Sequence, residues 1–174
     1  MLASLGAWAM LASSPAAAQP ITIPNPAPLI QELLRQGQAA AALGSVNAAL
    51  TSQPKDTSLR FLRGVSLMDL QRDAEAALAF TELAEEYPEL ADPWNNLALL
   101  HVRAGQPERA RQALELALRN DPSHRTARLN LGEVYLMLAA QSWQAAADIA
   151  ALEPAQLRRL NAVRELLSTT LPGR

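Results

Sequence analysis

The chain has 174 residues, of which 49% are apolar, 18% charged and only 4% aromatic. It can bury a core, and its alanine- and leucine-rich mixture favours helix over strand. Fifteen Lys and Arg against seventeen Asp and Glu leave a net charge of −2, and there is no cysteine. That balance gives no strong field for nucleic acid or anionic lipid. The missing thiol excludes disulfides, thiolate metal sites, a cysteine nucleophile and a lipid-modified N-terminal cysteine.

Residues 1–18 read as a secretory signal peptide cut after Ala18. An apolar run carrying Leu2, Leu5, Trp8, Met10 and Leu11 is broken by Ser13-Ser14-Pro15, and the small residues Ala16-Ala17-Ala18 come next. The run is too short to span a bilayer comfortably. No Lys or Arg precedes it, which leaves two readings open, a start further upstream or a weak signal; an uncleaved anchor or a hydrophobic N-terminal helix is the alternative to processing. Pro20, Pro24, Pro26 and Pro28 make residues 19–28 a proline-rich, extended spacer, with the folded array expected over 29–170. The location implied is periplasmic or secreted, with no transmembrane segment in the mature chain.

One spacing organises the rest of the chain. Pro54, Pro88 and Pro122 recur at an interval of 34, as do Ala42, Ala76 and Ala110, and one helical turn beyond each alanine stands Val46, Phe80 or Leu114. Asn96-Leu97 recurs at the same interval as Asn130-Leu131. A fixed period of this size marks a repeat architecture, each period being a pair of antiparallel helices. The units cover about 23–56, 57–90, 91–124 and 125–153, with a capping helix over 154–170.

In the first unit Leu29, Ile30, Leu33 and Leu34 form a helical stripe that Gly37 ends. Its second helix, 39–52, is weakened by Gly44. In the second unit Asp56 or Thr57 caps the first helix, Asp73 the next, and Pro88 stops the pair. The third unit is the most regular. Asp92 and Pro93 read as N-cap and first helical residue, and Gly105 and Pro107 divide its helices. The fourth begins near Arg125 and loses the register, since one full period beyond Ala110 stands Gln144; an insertion of two residues in its turn would realign Trp143 and Ala146. Pro154 starts a last helix with Leu157, Leu160, Val163, Leu166 and Leu167 on one side, as a cap requires.

These residues resemble the tetratricopeptide repeat family, whose pattern is W-x2-L-G-x2-Y, A-x3-F, P. The third unit reads Trp94-x2-Leu97-Ala98-x2-His101, Ala110-x3-Leu114, Pro122. The fourth supplies Leu131-Gly132-x2-Tyr135, and the second Gly64, Ala76-x3-Phe80 and Pro88. Arg60, Arg63 and Arg128 depart from usually apolar or aromatic places. The resemblance implies an all-α fold: an α-solenoid of about four helix-turn-helix units plus the C-terminal cap. With an export signal the chain looks like the small envelope scaffolds of Gram-negative bacteria that carry such repeats.

The resemblance also implies a concave groove lined by the first helices. The places that face it fall on Phe61, Val65, Met68 and Asp69 in the second unit. In the third they fall on Asp92, Asn95, Leu99, Val102 and Arg103, and in the fourth on Thr126, Leu129, Glu133, Leu136 and Met137. This mostly apolar set, with a few charges, suits an amphipathic helix or an extended apolar peptide. Members that grip a C-terminal carboxylate use lysines and asparagines where this chain has Phe61, Val65 and Thr126. The function expected is a non-catalytic scaffold or adaptor binding a protein or peptide partner. The alternative is self-assembly into a homo-oligomer through the groove or the last helix. No catalytic, cofactor or metal residues are expected: His101 reads as packing, His124 as solvated, Asp69, Glu85 and Glu86 as helix-surface carboxylates, and no nucleophile elbow, phosphate loop or zinc spacing occurs.

Overall fold

The computed structural model describes residues 25–170, and the expected signal peptide lies outside them, as does most of the spacer. The described residues form eight helices: α1 (Ala27–Arg35), α2 (Ala39–Ser52), α3 (Thr57–Asp69), α4 (Asp73–Glu86), α5 (Ala91–Arg103), α6 (Pro107–Asn120), α7 (Arg125–Ile149) and α8 (Pro154–Thr170). They pair in sequence as α1/α2, α3/α4, α5/α6 and α7/α8, and each pair packs on the next. This is the expected all-α solenoid. The first helix starts at Ala27, two residues ahead of the expected boundary, because the Asn25 side chain accepts a hydrogen bond from the Ala27 amide at 3.0 Å and proline suits a first turn.

The period becomes packing in a direct way. Ala42, Ala76 and Ala110 are fully buried, and so are Val46, Phe80 and Leu114 four residues on. One turn of helix separates the members of each couple, so both face the partner helix. The small side chain lets that helix approach and the large one fills the space beside it. The buried residues form one continuous cluster from Ala27 in α1 to Val134 in α7.

The turns obey the same period. Gly37 and Gly105 have φ of 72° and 68°, and Gln71, midway between them, has φ of 57°. At each, the next amide reaches back to a carbonyl five residues earlier: Gln38 to Leu33, Arg72 to Leu67, Gln106 to His101. Glycine adopts this left-handed conformation freely, whereas Gln71 holds it at a cost of about 1–2 kcal/mol.

The fourth unit differs from expectation at this very position. Counting 34 from Gly105 leads to Ala139. Alanine favours helix and resists the left-handed turn, so α7 runs unbroken for 25 residues instead of turning before Trp143. Residues 125–153 therefore hold one helix, not a pair. The last helix, expected as a separate cap, is the partner of α7, which it meets through buried Leu160 and Val163. Two caps also differ. Asp73 is the first residue of α4 and makes no cap of it. Helix α5 begins at Ala91, ahead of Asp92. His124 is not solvated: its Nδ1 accepts from the Ala127 amide at 3.1 Å and its Nε2 lies 3.1 Å from Asp92 Oδ1. Nε2 thus carries the proton and donates it, tying the start of α7 to the start of α5.

Candidate functional site

The first helices α1, α3, α5 and α7 form one face of the array, where the groove is expected. Among the described residues, two of its hollows lie between successive first helices. The larger, about 300 Å³, sits between α1, α3 and α5, with Gln31, Thr57, Ser58, Phe61 and Asp92 around a floor of Leu62, Leu83 and Pro93. The smaller, about 40 Å³, sits between α5 and α7, with Leu99, Val102 and Glu133 over Ala98, Val134 and Met137. The floors belong to the core, so both hollows are fixed by the same contacts that hold the repeats together.

Of the expected groove residues, Phe61 and Asp92 line the first hollow, and Leu99, Val102, Glu133 and Met137 the second. Val65 and Leu136 are half-buried, while Asp69, Thr126 and Leu129 are exposed. Four positions do not fit the expectation. Met68 and Met137 are only 8% and 7% exposed and belong to the core, Met137 reaching the second hollow only as part of its floor. Asn95 is buried and accepts a 2.9 Å hydrogen bond from Asn130 Nδ2, which locks α5 to α7. Arg103 turns toward α4: its Nη1 lies 3.0 Å from Asp73 Oδ1 and donates to the Met68 carbonyl at 3.3 Å. With Arg103 drawn away, the charges left among the expected groove residues are the carboxylates of Asp69, Asp92 and Glu133.

Gln31, Thr57 and Ser58 are additions to the expected set. The period points to two of them, since Gln31 stands one full period before Val65 and Ser58 one before Asp92. Two of the three departing arginines also have a structural answer. Arg60 pairs with Glu86 at 2.5 Å and lies over the Tyr87 ring at 5.9 Å, and Arg128 donates to the Pro122 carbonyl at 2.5 Å. Among the described residues, no cluster of three or more His, Asp or Glu is placed to hold a metal ion. No helix there is long and apolar enough to cross a membrane.

Burial, and then the charge of nearby Arg109, hold the His101 imidazole below the usual histidine range, against a smaller opposing hydrogen bond with Gln106. The unfolded chain therefore takes up a proton at this site before the folded one does. Stability from His101 is present above about pH 6.5 and is lost as the pH falls through and below that value. Urea midpoints at pH 7 and pH 5.2 are expected to fall further apart for the native chain than for His101→Gln. The lowered carboxyls of Glu75 and Glu86, held down by Arg72 and Arg60, act in a separate window below about pH 4.5.

A family model described as tetratricopeptide repeat matches residues 28–91 and 95–156. Among solved structures, TTC0263, a thermophilic protein of this repeat type from Thermus thermophilus, superposes with a TM-score of 0.63 at 21% identity, over 83% of this chain and 82% of that one. The first repeat domain of human RPAP3 superposes with a TM-score of 0.62 at 16% identity, over 67% and 91%. The first such domain of Spaghetti (RPAP3), solved with the HSP90 peptide SRMEEVD bound, gives 0.59 at 16% identity, over 65% and 93%. At these identities the likeness is one of fold. No curated protein is significantly similar to the chain.

Proposed function

We propose, from the premise that the chain belongs to the tetratricopeptide repeat family, that it is a non-catalytic scaffold that binds a peptide segment of another protein on its first-helix face. The observation that carries this is the pair of hollows, one lined by half-buried Phe61 and the other by half-buried Leu99 and Val102, on the successive first helices α3 and α5. An apolar face of this kind on a helical array fits an amphipathic helix or an apolar extended segment. Asp69, Asp92 and Glu133, with Arg103 turned aside, favour basic residues flanking that segment. The acidic peptide held by the Spaghetti domain is accordingly a poor match. Phe61, Val65 and Thr126 also stand where the carboxylate-gripping members place lysine or asparagine.

We infer that the partner is met in the bacterial envelope, after export and cleavage behind Ala18. The support is the apolar run and the small residues before the cut. N-terminal sequencing of protein purified from its source organism should begin at Gln19; a sequence retaining residues 1–18 sinks the inference.

Val102→Asp and Leu136→Asp place a carboxylate on a half-buried apolar position of this face. Each is expected to abolish capture of the partners that the native protein retains from an envelope extract, with helical circular dichroism unchanged. A captured set that both variants retain in full would move the site off this face. Light scattering addresses the self-assembly reading, since a monomer at micromolar concentration argues against it.

A further inference from the structure

The opposite side of the array, on which the second helices lie, carries a cleft along the seam of α4 and α5. It encloses about 550 Å³, with Trp94, Leu97 and His101 on its floor, Glu85 near the Trp94 end and Arg109 of α6 near the His101 end. Along α4 it runs from Asp73 to Glu85, about 18 Å at the rise of an α-helix. Helix α5 separates it from the two first-helix hollows, because Leu99 and Val102 face one side and Leu97 and His101 the other.

The preceding unit shows what the chain does when it supplies these positions itself. Counting back 34 from Trp94, Leu97 and Arg109 leads to Arg60, Arg63 and Glu75. Arg60 is paired with Glu86 and lies over Tyr87. Glu75 is held ionised by Arg72 and, more weakly, by Arg63. In the open cleft the chemistry is inverted. An indole and a leucine stand in place of the two arginines, and Arg109 stands in place of the carboxylate. Among the described residues no carboxylate pairs with Arg109, which donates only to Gln106 Oε1 at 3.0 Å. Likewise no cation there pairs with Glu85, and Arg103, the other cation of the cleft, is engaged by Asp73.

We propose that this cleft is a second peptide site. It takes an extended segment of about five residues, with a cationic side chain at the Glu85–Trp94 end, an apolar middle over Leu97 and a carboxylate at Arg109. The cation meets a carboxylate and an indole face together, as Arg60 meets Glu86 and Tyr87 one unit earlier. The carboxylate meets the fork of a guanidinium. The chain thus leaves vacant for a partner the kind of contacts it makes with itself in the unit before.

The test is fluorescence anisotropy with two fluorescein-labelled heptapeptides. One has an arginine near its N-terminus and an aspartate near its C-terminus, with leucine and alanine between; the other has the two charges exchanged. One order is expected to bind saturably, with a Kd below about 1 mM, and to quench tryptophan emission. Glu85→Gln and Arg109→Gln, both at exposed positions, are each expected to weaken it about fivefold or more. Val102→Asp, on the other face, should leave it unchanged. Saturable binding of neither peptide, binding indifferent to both Gln substitutions, or binding lost with Val102→Asp alone would each overturn the proposal. The first two outcomes leave capture at the first-helix face untouched, and the third would move the peptide to that face.

Discussion

Phe80→Ala is expected to lower the free energy of unfolding by about 3–5 kcal/mol, the largest effect of any single truncation proposed for this chain. Phe80 is fully buried and is the bulkiest of the wholly enclosed side chains. Its ring sits 5.6 Å from that of Phe61 at a tilt of 53°, a favourable aromatic geometry, and lies against Gly64 of α3. Removing it takes away the transfer free energy of a phenyl group and leaves a void that two stiff helices cannot close. Because units in such an array are stabilised by their neighbours, the loss should also reach α1/α2 and α5/α6. Phe80→Leu should be far milder, since Leu114 holds the same place one period later. Urea unfolding followed by helical circular dichroism measures this, and a loss under about 1 kcal/mol for Phe80→Ala would contradict this packing.

Gly64→Ala is expected to destabilise, although glycine within a helix ordinarily gains about 1 kcal/mol on replacement by alanine. A Cβ at position 64 would meet Phe80 Cε1 at 2.5 Å, Cζ at 2.7 Å and Cδ1 at 2.9 Å. The ring is enclosed and cannot step aside, so overpacking of about 1–3 kcal/mol outweighs the helical gain. Gly44 and Gly132 are the controls. A Cβ there meets nothing within 4 Å, and alanine at either should stabilise by about 0.5–1 kcal/mol. A double-mutant cycle sharpens the test. Phe80→Leu should cost less in the Gly64→Ala background than alone, because the smaller side chain makes room for the new methyl. Simple additivity of the two changes would mean that residues 64 and 80 do not meet as the structure places them.

The architecture was legible because two residue types recur at one interval and each has a structural reason to do so. Ala42, Ala76 and Ala110 announce close helix approach, and Pro54, Pro88 and Pro122 announce the ends of pairs. What escaped had a physical signal of a quieter kind. The unbroken α7 depends on Ala139 occupying the turn position of Gly37 and Gly105. Gln71 shows that the turn tolerates a non-glycine residue, so the identity of residue 139 alone did not decide the matter. The cap supplied by His124 was invisible because it depends on Asp92 being brought across from α5 to fix the proton on Nε2. The reading of side-chain direction held where position alone sets it, as at Leu99 and Val102, which line the hollow between α5 and α7. It failed at Arg103, whose long side chain follows the nearest carboxylate, Asp73, and not the helix face it starts from.

The length of α7 bears on how such a chain can grow. A spliced-in copy of residues 57–90 would find matching surfaces above and below, because the turns at 37, 71 and 105 inside the pairs and the prolines at 54 and 88 between them keep the first three pairs in one phase. Added beyond α8, the same cassette would meet a shifted hairpin that leaves Gly132 open and Tyr135 half exposed. Recombination can therefore lengthen this array within its first three pairs, where the joints match, more readily than at the shifted α7/α8 hairpin.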